Sequence, residues 1–360
     1  MSKDEQPLVS VVTPVYNGEE FLVECIESVL KQTYRNYEYI IVNNCSTDRT
    51  LQIALDYAKK DSRIRVHDNE KFLAVIANHN LAFSLISRDA KYCKVVSADD
   101  FLFPDCITRM VELAEANPSV GVVGSYQLRG DHVRWQGFRY PQAVLVGVEM
   151  CRRMFLGGDK TFGFGSPTSI LYRADLVRSR ANFYPNASPH SDTSACFDCL
   201  HESDYGFAYQ VLSYERTHEQ TQSYASTETN RFSSADLSDV IQYGPLYLNK
   251  EEVVRKLNAT LKGYHRFLAL NYFCGFRGKE FWDYHKSRLN QLGYPLTRVS
   301  LYKAAIVAVV MEALNPERAI RKFWGRVLRK SKPGVTRVAP AAPPAPVAGM
   351  SSDGESARIG

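Results

Sequence analysis

The chain has 360 residues, a formal net charge of +5 and a charged fraction of 23%. That length is sufficient for two domains, or for one large domain with an appendage, and the charge content is ordinary for a globular protein. With 45% hydrophobic residues the chain can bury a core, but no apolar run reaches the ~20 residues of a membrane-spanning helix. We expect neither a membrane-spanning protein nor a nucleic-acid partner.

The eight cysteines are scattered through the sequence, and several lie in apolar runs. This distribution is typical of reduced core residues and not of a disulfide framework. The first ten residues, MSKDEQPLVS, are too polar for a secretory signal, so we expect a cytoplasmic location. Cys196 and Cys199 lie near His190 and His201. A single C-x-x-C pair is weak evidence for zinc, and two cysteines on a helix face are the favoured interpretation.

Apolar strands and amphipathic helices alternate without a break from Leu8 to Tyr126. The predicted strands are Leu8–Val12, Tyr39–Val42, Ile64–His67, Tyr92–Ser97 and Val120–Tyr126. The predicted helices include Glu19–Lys31 and Ala74–Ser87, and the others have apolar faces at Leu51, Ala54, Leu55 and Ala58 and at Ile107, Met110, Val111 and Ala114. Asn17 with Glu20, and Ser46 or Thr47, are predicted to cap the first two helices. The alternation predicts an α/β fold with a mostly parallel sheet covered on both faces.

The stretch YCKVVSADDFLFPD places two adjacent acids, Asp99 and Asp100, at the end of a buried strand. Buried carboxylates are unfavourable unless something pairs with them. In open α/β sheets, ligands bind outside the carboxyl ends of the strands, where a divalent cation carrying a diphosphate would fit. The alternative is that the two acids cap the next helix. The glycine fingerprints of dinucleotide and phosphate loops are missing, so a nucleotide would need a cation here.

The segments VSVVTPVYNGEEFLVECIESVLKQTYRNYEYIIVNNCSTDRT and VVSADD resemble the family 2 glycosyltransferases. The resemblance extends over about residues 7–225. It implies the GT-A fold, in which helices flank a mostly parallel, Rossmann-like sheet. It also implies inverting transfer of a sugar from a nucleotide-diphosphate sugar to a hydroxyl of a surface glycan or lipid-linked precursor, with Mn²⁺ or Mg²⁺ as cofactor.

The donor site implied by the resemblance begins in the first two loops. Thr13, Pro14 and Tyr16 would line the base and ribose pocket, with Tyr16 packed on the base. Asn44 replaces an aspartate that the family commonly uses to read the base edge. An asparagine oxygen can accept a hydrogen bond from a uracil or thymine N–H, so this replacement leaves the base open. A UDP-sugar is the favoured donor. Asn80, in the third helix, would touch the nucleotide.

The resemblance also implies the diphosphate subsite. Asp99 would face the ribose or the cation, and Asp100 would ligate the cation. Carboxylate oxygens together with phosphates suit Mg²⁺ or Mn²⁺. Arg216 would hold phosphate oxygens, and His218 would complete the metal shell or bind phosphate.

The acceptor half begins at the segment 166–172, which is predicted to be a loop entering a strand. The resemblance implies one carboxylate in this half, and Asp192 is the best match for the catalytic base. Glu202 and Asp204 are weaker alternatives, and a helix N-cap is the structural alternative for Asp192. Such a base takes the proton of the acceptor hydroxyl as its oxygen attacks the anomeric carbon.

Three domains are predicted: a catalytic domain at 1–228, a helical region at 229–332 and a disordered, Pro/Ala-rich tail at 333–360. Thr229–Asp236 is expected to be a loop at the boundary, and Glu251–Leu292 to be rich in helix. A helix at 316–332 would carry one apolar stripe at Ile320, Phe323, Trp324, Val327 and Leu328. Its other face is basic, with Arg318, Arg321, Lys322, Arg326, Arg329 and Lys330. This pattern predicts peripheral binding to an anionic membrane surface, and a helix packed on the protein is the alternative.

Two other functions remain open on the sequence. One is a nicotinamide-dependent enzyme, which the missing glycine fingerprint argues against. The other is a catalytically weak relative that binds a nucleotide-sugar or a glycan. The altered turn at Asn43, Asn44 and Cys45, together with Ser97 in place of an acid, is what favours it.

Overall fold

The computed structural model describes residues 6–136, 138–157, 162–186, 188–217, 231–274 and 277–313. The chain divides into two compact units, Met1–Ala305 and Ile306–Gly360. Of the second unit, only the end of one helix is described. His218 and the segments 316–332 and 333–360 lie outside the described residues.

Within the described residues, ten strands form one sheet. They are β1 (Val9–Val15), β2 (Tyr37–Asn43), β3 (Ile64–Asp68), β4 (Tyr92–Val95), β5 (Phe101–Leu102), β6 (Val120–Arg129), β7 (His132–Arg134), β8 (Val144–Leu145), β9 (Ile170–Arg173) and β10 (Asp204–Glu215). The five strands predicted from periodicity are all present, and β1 continues beyond its predicted end as far as Val15. Pro14 is compatible with this extension because β1 stops pairing with β4 at Val12, so no ladder bond to β4 requires its missing N–H.

The strand order is β3-β2-β1-β4-β9-β6-β10-β5, with β7 beside β6 and β8 beside β10. β1 pairs in parallel with β2 and β4, β2 with β3, and β6 with β10, whereas β9 is antiparallel to both β4 and β6. Strands β1, β2, β3, β4, β6 and β10 therefore point in one direction. The predicted mostly parallel sheet is confirmed in this sense. The insertion of β9 between β4 and β6 was not predicted. We call the edge where these six strands end the carboxyl edge.

Helices flank the sheet and continue beyond its last strand. They are α1 (Leu22–Leu30), α2 (Thr50–Ala58), α3 (Val75–Ser84), α4 (Cys106–Ala116), α5 (Gly147–Leu156), α6 (Ala174–Arg178), α7 (Ser191–Leu200), α8 (Phe232–Tyr247), α9 (Lys250–Cys274), α10 (Lys279–Gln291) and α11 (Arg298–Ala313). A short 3-10 turn, Pro167–Ser169, leads into β9, as predicted for this loop. The rich helix content expected at Glu251–Leu292 is confirmed by α9 and α10.

Two cores lie on the two faces of the sheet. Side chains of successive strand residues point to opposite faces, so in β4 Cys93 and Val95 enter one core and Tyr92 enters the other. The first core also buries Cys196 and Cys199 on α7, which confirms that both are core residues on a helix face. Truncating a fully buried leucine, isoleucine or methionine of either core to alanine typically costs about 2–5 kcal/mol of stability.

The helical region begins by packing on the first core. Val240, Tyr243 and Tyr247 of α8 are buried there, and the ring of Tyr243 stacks on Phe197 of α7 at 4.9 Å between centroids. The predicted loop Thr229–Asp236 is wrong from Phe232 onward, because α8 begins at that residue. A third cluster joins the remaining helices through Leu237, Tyr264, Leu268, Phe281, Leu289 and Leu301. The division at residue 228 stays a prediction.

Candidate nucleotide and metal site

The loops that follow β1 and β2 are held together by reciprocal hydrogen bonds. The backbone N–H of Asn17 donates to Oγ of Ser46 (2.9 Å), and Oδ1 of Asn17 accepts from the N–H of Thr47 (2.8 Å). Glu19 accepts from the N–H of Arg49 (2.9 Å). The predicted caps are wrong, because neither α1 nor α2 has a side-chain N-cap hydrogen bond. These polar side chains instead join two loops at the carboxyl edge.

Asn44 fastens a third loop, the one after β3. Its Oδ1 accepts from the N–H of Leu73 (2.8 Å) and from Nδ2 of Asn69 (2.9 Å), and its Nδ2 donates to the carbonyl of Leu73 (2.8 Å). An amide oxygen has two lone pairs, and both are engaged here. The geometry therefore gives no support to the predicted acceptance of a uracil N–H by this oxygen. A base contact of Asn44 stays a prediction.

Two further predicted donor residues also have partners inside the protein. The amide of Asn80 donates to the carbonyl of Tyr184 (2.9 Å) and accepts from its N–H (2.8 Å), which ties α3 to the acceptor half. Thr13 is fully buried in β1, and its hydroxyl lies 3.0 Å from that of Tyr39. Pro14 is buried beside it. These side chains shape the carboxyl edge, and their contacts with a nucleotide stay predictions.

An aromatic pair stands exposed at the same edge. Tyr16 follows β1 and Phe72 lies on the loop that Asn44 fastens, and their side chains are 44% and 56% exposed. Their ring centroids are 4.9 Å apart with an interplanar angle of 69°. The two rings therefore meet edge to face, and a nucleobase can stack on the exposed face of one of them. The sequence interpretation included Tyr16 but missed Phe72.

The acidic pair lies just beyond β4, as predicted. Asp100 is only 6% exposed, and its Oδ2 accepts from the hydroxyl of Thr168 at 2.6 Å. Its Oδ1 accepts from the backbone N–H of Arg216 at 2.9 Å. Burial and the adjacent charge of Asp99 raise the pKa of Asp100 to about 8. The surroundings of Asp100 therefore favour the neutral carboxylic acid, and a bound cation would favour the carboxylate.

Arg216 lies at the end of β10, next to the acidic pair. Its Nε donates to the carbonyl of Asp99 (2.9 Å), and its guanidinium forms an ion pair with Glu24. The guanidinium also stacks on the ring of Phe21, 4.5 Å from the centroid. The structure thus brings Arg216 to Asp99 and Asp100, as predicted, although 116 residues separate Arg216 from Asp100 in sequence. The Glu24 partner was not predicted.

The donor set fits a divalent cation that is carried by a diphosphate. Each oxygen of Asp100 accepts one hydrogen bond and keeps one lone pair. Hard oxygen donors are what Mg²⁺ and Mn²⁺ prefer, and Mg²⁺ usually takes one or two carboxylates together with substrate phosphates. Among the described residues, no three His, Cys, Asp or Glu side chains come together as a metal-binding group. A cation would therefore draw further ligands from a diphosphate and water.

Asp192 lies in the first turn of α7. Three residues separate the end of α7 from Asp204, the first residue of β10. Burial raises the pKa of Asp192, and the nearby charge of His190 opposes that shift. A carboxylate with a raised pKa is suited to accept a proton near neutral pH.

His190, at the N-cap of α7, connects this helix to the helical region. Its Nδ1 lies 2.7 Å from Oδ2 of Asp239 on α8, and Asp236 lies 3.9 Å away. Burial lowers the pKa of His190, but the hydrogen bond and charge of Asp239, with Asp236 and Asp192, raise it overall. Sequence reasoning missed this contact, because nothing local relates two residues 49 positions apart.

The two weaker alternatives for the base lie at the opposite edge of the sheet. Asp204 begins β10, where it accepts from the N–H of Gly147 (3.1 Å), and Glu202 forms an ion pair with Arg180. Both acids line a shallow cleft of about 350 Å³ at that edge. Parallel β4 and β10 place Asp100 and Asp204 at opposite strand ends. Neither Glu202 nor Asp204 can therefore act as the base in a reaction that takes place beside Asp100.

A match to a protein family identifies the part of the chain that builds this edge. The model of Glycosyl transferase family 2 matches residues 10–179, a range that includes the joined loops, the acidic pair and Thr168. Residues 10–179 belong to glycosyl transferase family 2. The resemblance inferred from the sequence is confirmed.

Curated relatives agree with this family. An uncharacterized glycosyltransferase of Haemophilus influenzae is 38% identical over 120 residues, which are 33% of this chain and 36% of the relative. A second uncharacterized glycosyltransferase of the same organism is 26% identical over 234 residues, 64% of this chain and 85% of the relative. The aligned parts cover 36%, 33% and 39% of the first three relatives, so the chain spans about a third of their length.

Solved structures share the fold. S. aureus TarS 1–349 in complex with UDP-GlcNAc has a TM-score of 0.57 at 16% identity, covering 82% of this chain and 86% of that chain. The mannosyltransferase PcManGT from Pyrobaculum calidifontis, in complex with GDP-Man and Mn²⁺, has a TM-score of 0.51 at 14% identity, covering 84% and 87%. The GT-A fold expected from the sequence is confirmed.

Proposed function

We propose that this protein is an inverting glycosyltransferase that uses a nucleotide-diphosphate sugar and a divalent cation. The observation that carries the proposal is the buried Asp100 beside Asp99 at the carboxyl edge, with Arg216 bonded to both residues. Two adjacent acids and one arginine fit a diphosphate with its cation, since the acids bind the metal and the arginine binds phosphate oxygens. The family match to residues 10–179 supports the same reaction class.

The donor would lie across the joined loops. Its base would contact Tyr16 and Phe72, stacked on the exposed face of one of the two rings. Its diphosphate would face Asp99, Asp100 and Arg216. Mg²⁺ or Mn²⁺ would neutralise the charge that develops on the departing diphosphate. His218, two residues after Arg216, is proposed as a further metal or phosphate ligand. TarS is solved with UDP-GlcNAc, which supports the preference for a UDP-sugar, whereas PcManGT is solved with GDP-Man.

The chemistry requires one base. The carboxylate of Asp192 would take the proton from the acceptor hydroxyl while that oxygen forms the new bond to the anomeric carbon. The bond from this carbon to the phosphate oxygen breaks at the same time, and the nucleoside diphosphate leaves on the opposite face of the sugar. Arg216 would stabilise the charge on the leaving group. Attack and departure on opposite faces give inversion, and no covalent enzyme intermediate is needed.

A donor panel tests this proposal. The melting temperature should rise with one class of nucleotide-sugar in the presence of Mn²⁺, because a ligand that binds only the folded state stabilises it. The matching donor should then be consumed, and the anomeric configuration of the product, read by NMR, should be inverted. A retained configuration would contradict the mechanism. Binding without any turnover, over a broad acceptor panel, would instead favour a catalytically weak binding relative.

We also propose that the enzyme acts at the cytoplasmic face of a membrane, on a glycan or lipid-linked acceptor. No helix in the described part of the chain is both long and apolar enough to cross a bilayer. The support is the exposed apolar side chains Ile306 and Val310 of the second unit, followed in sequence by the basic segment 316–332. Apolar and basic residues together are typical of interfacial binding to anionic lipid.

Vesicle co-sedimentation tests the membrane proposal. The full chain should bind anionic vesicles at low salt and less at high salt, because salt screens the attraction. A truncation after Leu314 removes the basic segment and should lose most of the binding. Equal, negligible binding by the two chains would reject the membrane role.

A further inference from the structure

Lys94 places an ammonium group inside the protein. The residue is fully buried in β4, on the same face as Tyr92 and Val96, which belong to the second core. Its Nζ donates to the carbonyl of Ile170 at 3.0 Å and to the carbonyl of Thr168. Burying an ammonium is unfavourable unless its donors are satisfied. Here the acceptors are two carbonyls of the segment that joins the 3-10 turn to β9.

The same turn holds the carboxylate of Asp100. Thr168 is fully buried, its hydroxyl donates to Oδ2 of Asp100 (2.6 Å), and it accepts from the N–H of Ser97 (3.1 Å). Burial lowers the pKa of Lys94, and the charge of Asp100 is among the groups that oppose this shift. Lys94 is thus connected to Asp100 through one intervening residue.

We propose that Lys94 and Thr168 are positioning residues for the cation site. Lys94 fastens the backbone of the turn to β4, and the Thr168 hydroxyl then fixes the orientation of the Asp100 carboxylate. With one oxygen held by Thr168 and the other by the Arg216 N–H, the carboxylate presents its remaining lone pairs in one direction. Groups that hydrogen-bond a metal ligand commonly set its orientation and the affinity of the site. This inference rests on the proposed function.

Mn²⁺ binding in the presence of UDP, with GDP in a parallel series, provides the test. Electron paramagnetic resonance of free Mn²⁺ measures binding without any need for turnover. Thr168→Val keeps the shape but removes the hydroxyl, and Lys94→Met removes the ammonium. Each should weaken Mn²⁺ binding by about 10-fold or more, the usual effect of losing such a support. Thr168→Ser, which keeps a hydroxyl, should stay within about threefold of wild type.

Controls separate positioning from general destabilisation. Lys91→Met removes an exposed lysine near the start of β4, and Met110→Ala opens a cavity in the second core. Both should leave Mn²⁺ affinity unchanged, although the second should lower the melting temperature. The double variant Lys94→Met with Thr168→Val should bind no more weakly than the worse single variant, because residues acting through one path are not additive.

The outcomes are distinguishable. If wild type binds Mn²⁺ with UDP or GDP and Thr168→Val binds it equally well, the positioning role is wrong while the proposed function stands. Strictly additive losses in the double variant would also overturn the shared path. If wild type binds no Mn²⁺ with either nucleotide while Asp100→Ala behaves identically, the metal site itself is wrong and this inference falls with it. Circular dichroism confirms that each variant is folded, and Thr168→Val decides the matter if Lys94→Met does not fold.

Discussion

Replacing Asp100 by asparagine should stabilise the metal-free protein at neutral pH. The usual pKa of the side chain is 3.8, and burial together with Asp99 raises it to about 8 in the folded state. The folded protein therefore binds this proton more tightly than the unfolded chain does. The resulting stability is complete below pH 4 and is lost as the pH rises toward 8. Asparagine does not titrate, so the variant escapes this loss.

The size of the effect follows from the two pKa values. Each pH unit between them costs wild type about 1.4 kcal/mol, so the stability of Asp100→Asn relative to wild type should increase by about 3 kcal/mol between pH 5 and pH 7.5. Urea denaturation in a chelating buffer, followed by circular dichroism at several pH values, measures this difference directly. Adding Mn²⁺ with a nucleoside diphosphate should reduce the difference in stability between the variant and wild type, because only wild type binds the cation. A difference in stability that does not change with pH would refute the conclusion that burial and Asp99 raise the pKa of Asp100.

Three other substitutions test other parts of the site. Asp192→Asn should keep donor binding and lose roughly 10²-fold or more in turnover. Glu202→Gln, at the edge of the sheet opposite the carboxyl edge, should turn over normally. The reverse result would show that Asp192 is not the base. Phe72→Ala should raise the donor KM by about 10-fold with little change in kcat, since base–aromatic stacking contributes about 1–3 kcal/mol per base, and an unchanged KM would remove Phe72 from the base pocket. The folded-state pKa of His190 is raised. The stability that its contact with Asp239 contributes is therefore complete below the usual His pKa, and it is lost as the pH rises through the folded-state pKa. His190→Gln should therefore cost about 1–3 kcal/mol near pH 6 and less at pH 9, whereas a cost that is constant with pH would contradict the charged pair.

The sequence predicted what local patterns encode. Apolar periodicity located the parallel strands, and the position of Asp99 and Asp100 at a strand end followed from the same reading. The order of strands was harder, because β9 enters between β4 and β6 by antiparallel pairing with residues 77–81 positions away in β4 and 46–50 positions away in β6. No local signal reports such a pairing.

Sequence reasoning missed Phe72 and Lys94, because tertiary contacts and not local patterns determine their roles. Phe72 lies in a polar loop without periodicity. The hydrogen bonds that its neighbour Leu73 makes with Asn44, 29 residues earlier, hold this loop so that Phe72 contacts Tyr16. Lys94 is a charged residue in a strand and would ordinarily be expected to face solvent. The predicted helix caps were wrong because Asn17 accepts a hydrogen bond from the N–H of Thr47 in the neighbouring loop, and neither side chain caps the helix that follows it.

The most direct test of the central claim is the release of nucleoside diphosphate from the donor that the thermal-shift panel identifies. Wild type should release it with Mn²⁺ and stop in chelator, and Asp100→Ala should be inactive under both conditions while its circular dichroism spectrum remains that of a folded protein. Asp192→Asn should still bind the donor with Mn²⁺. Full release by Asp100→Ala in chelator would contradict a reaction that depends on a cation held at the end of β4.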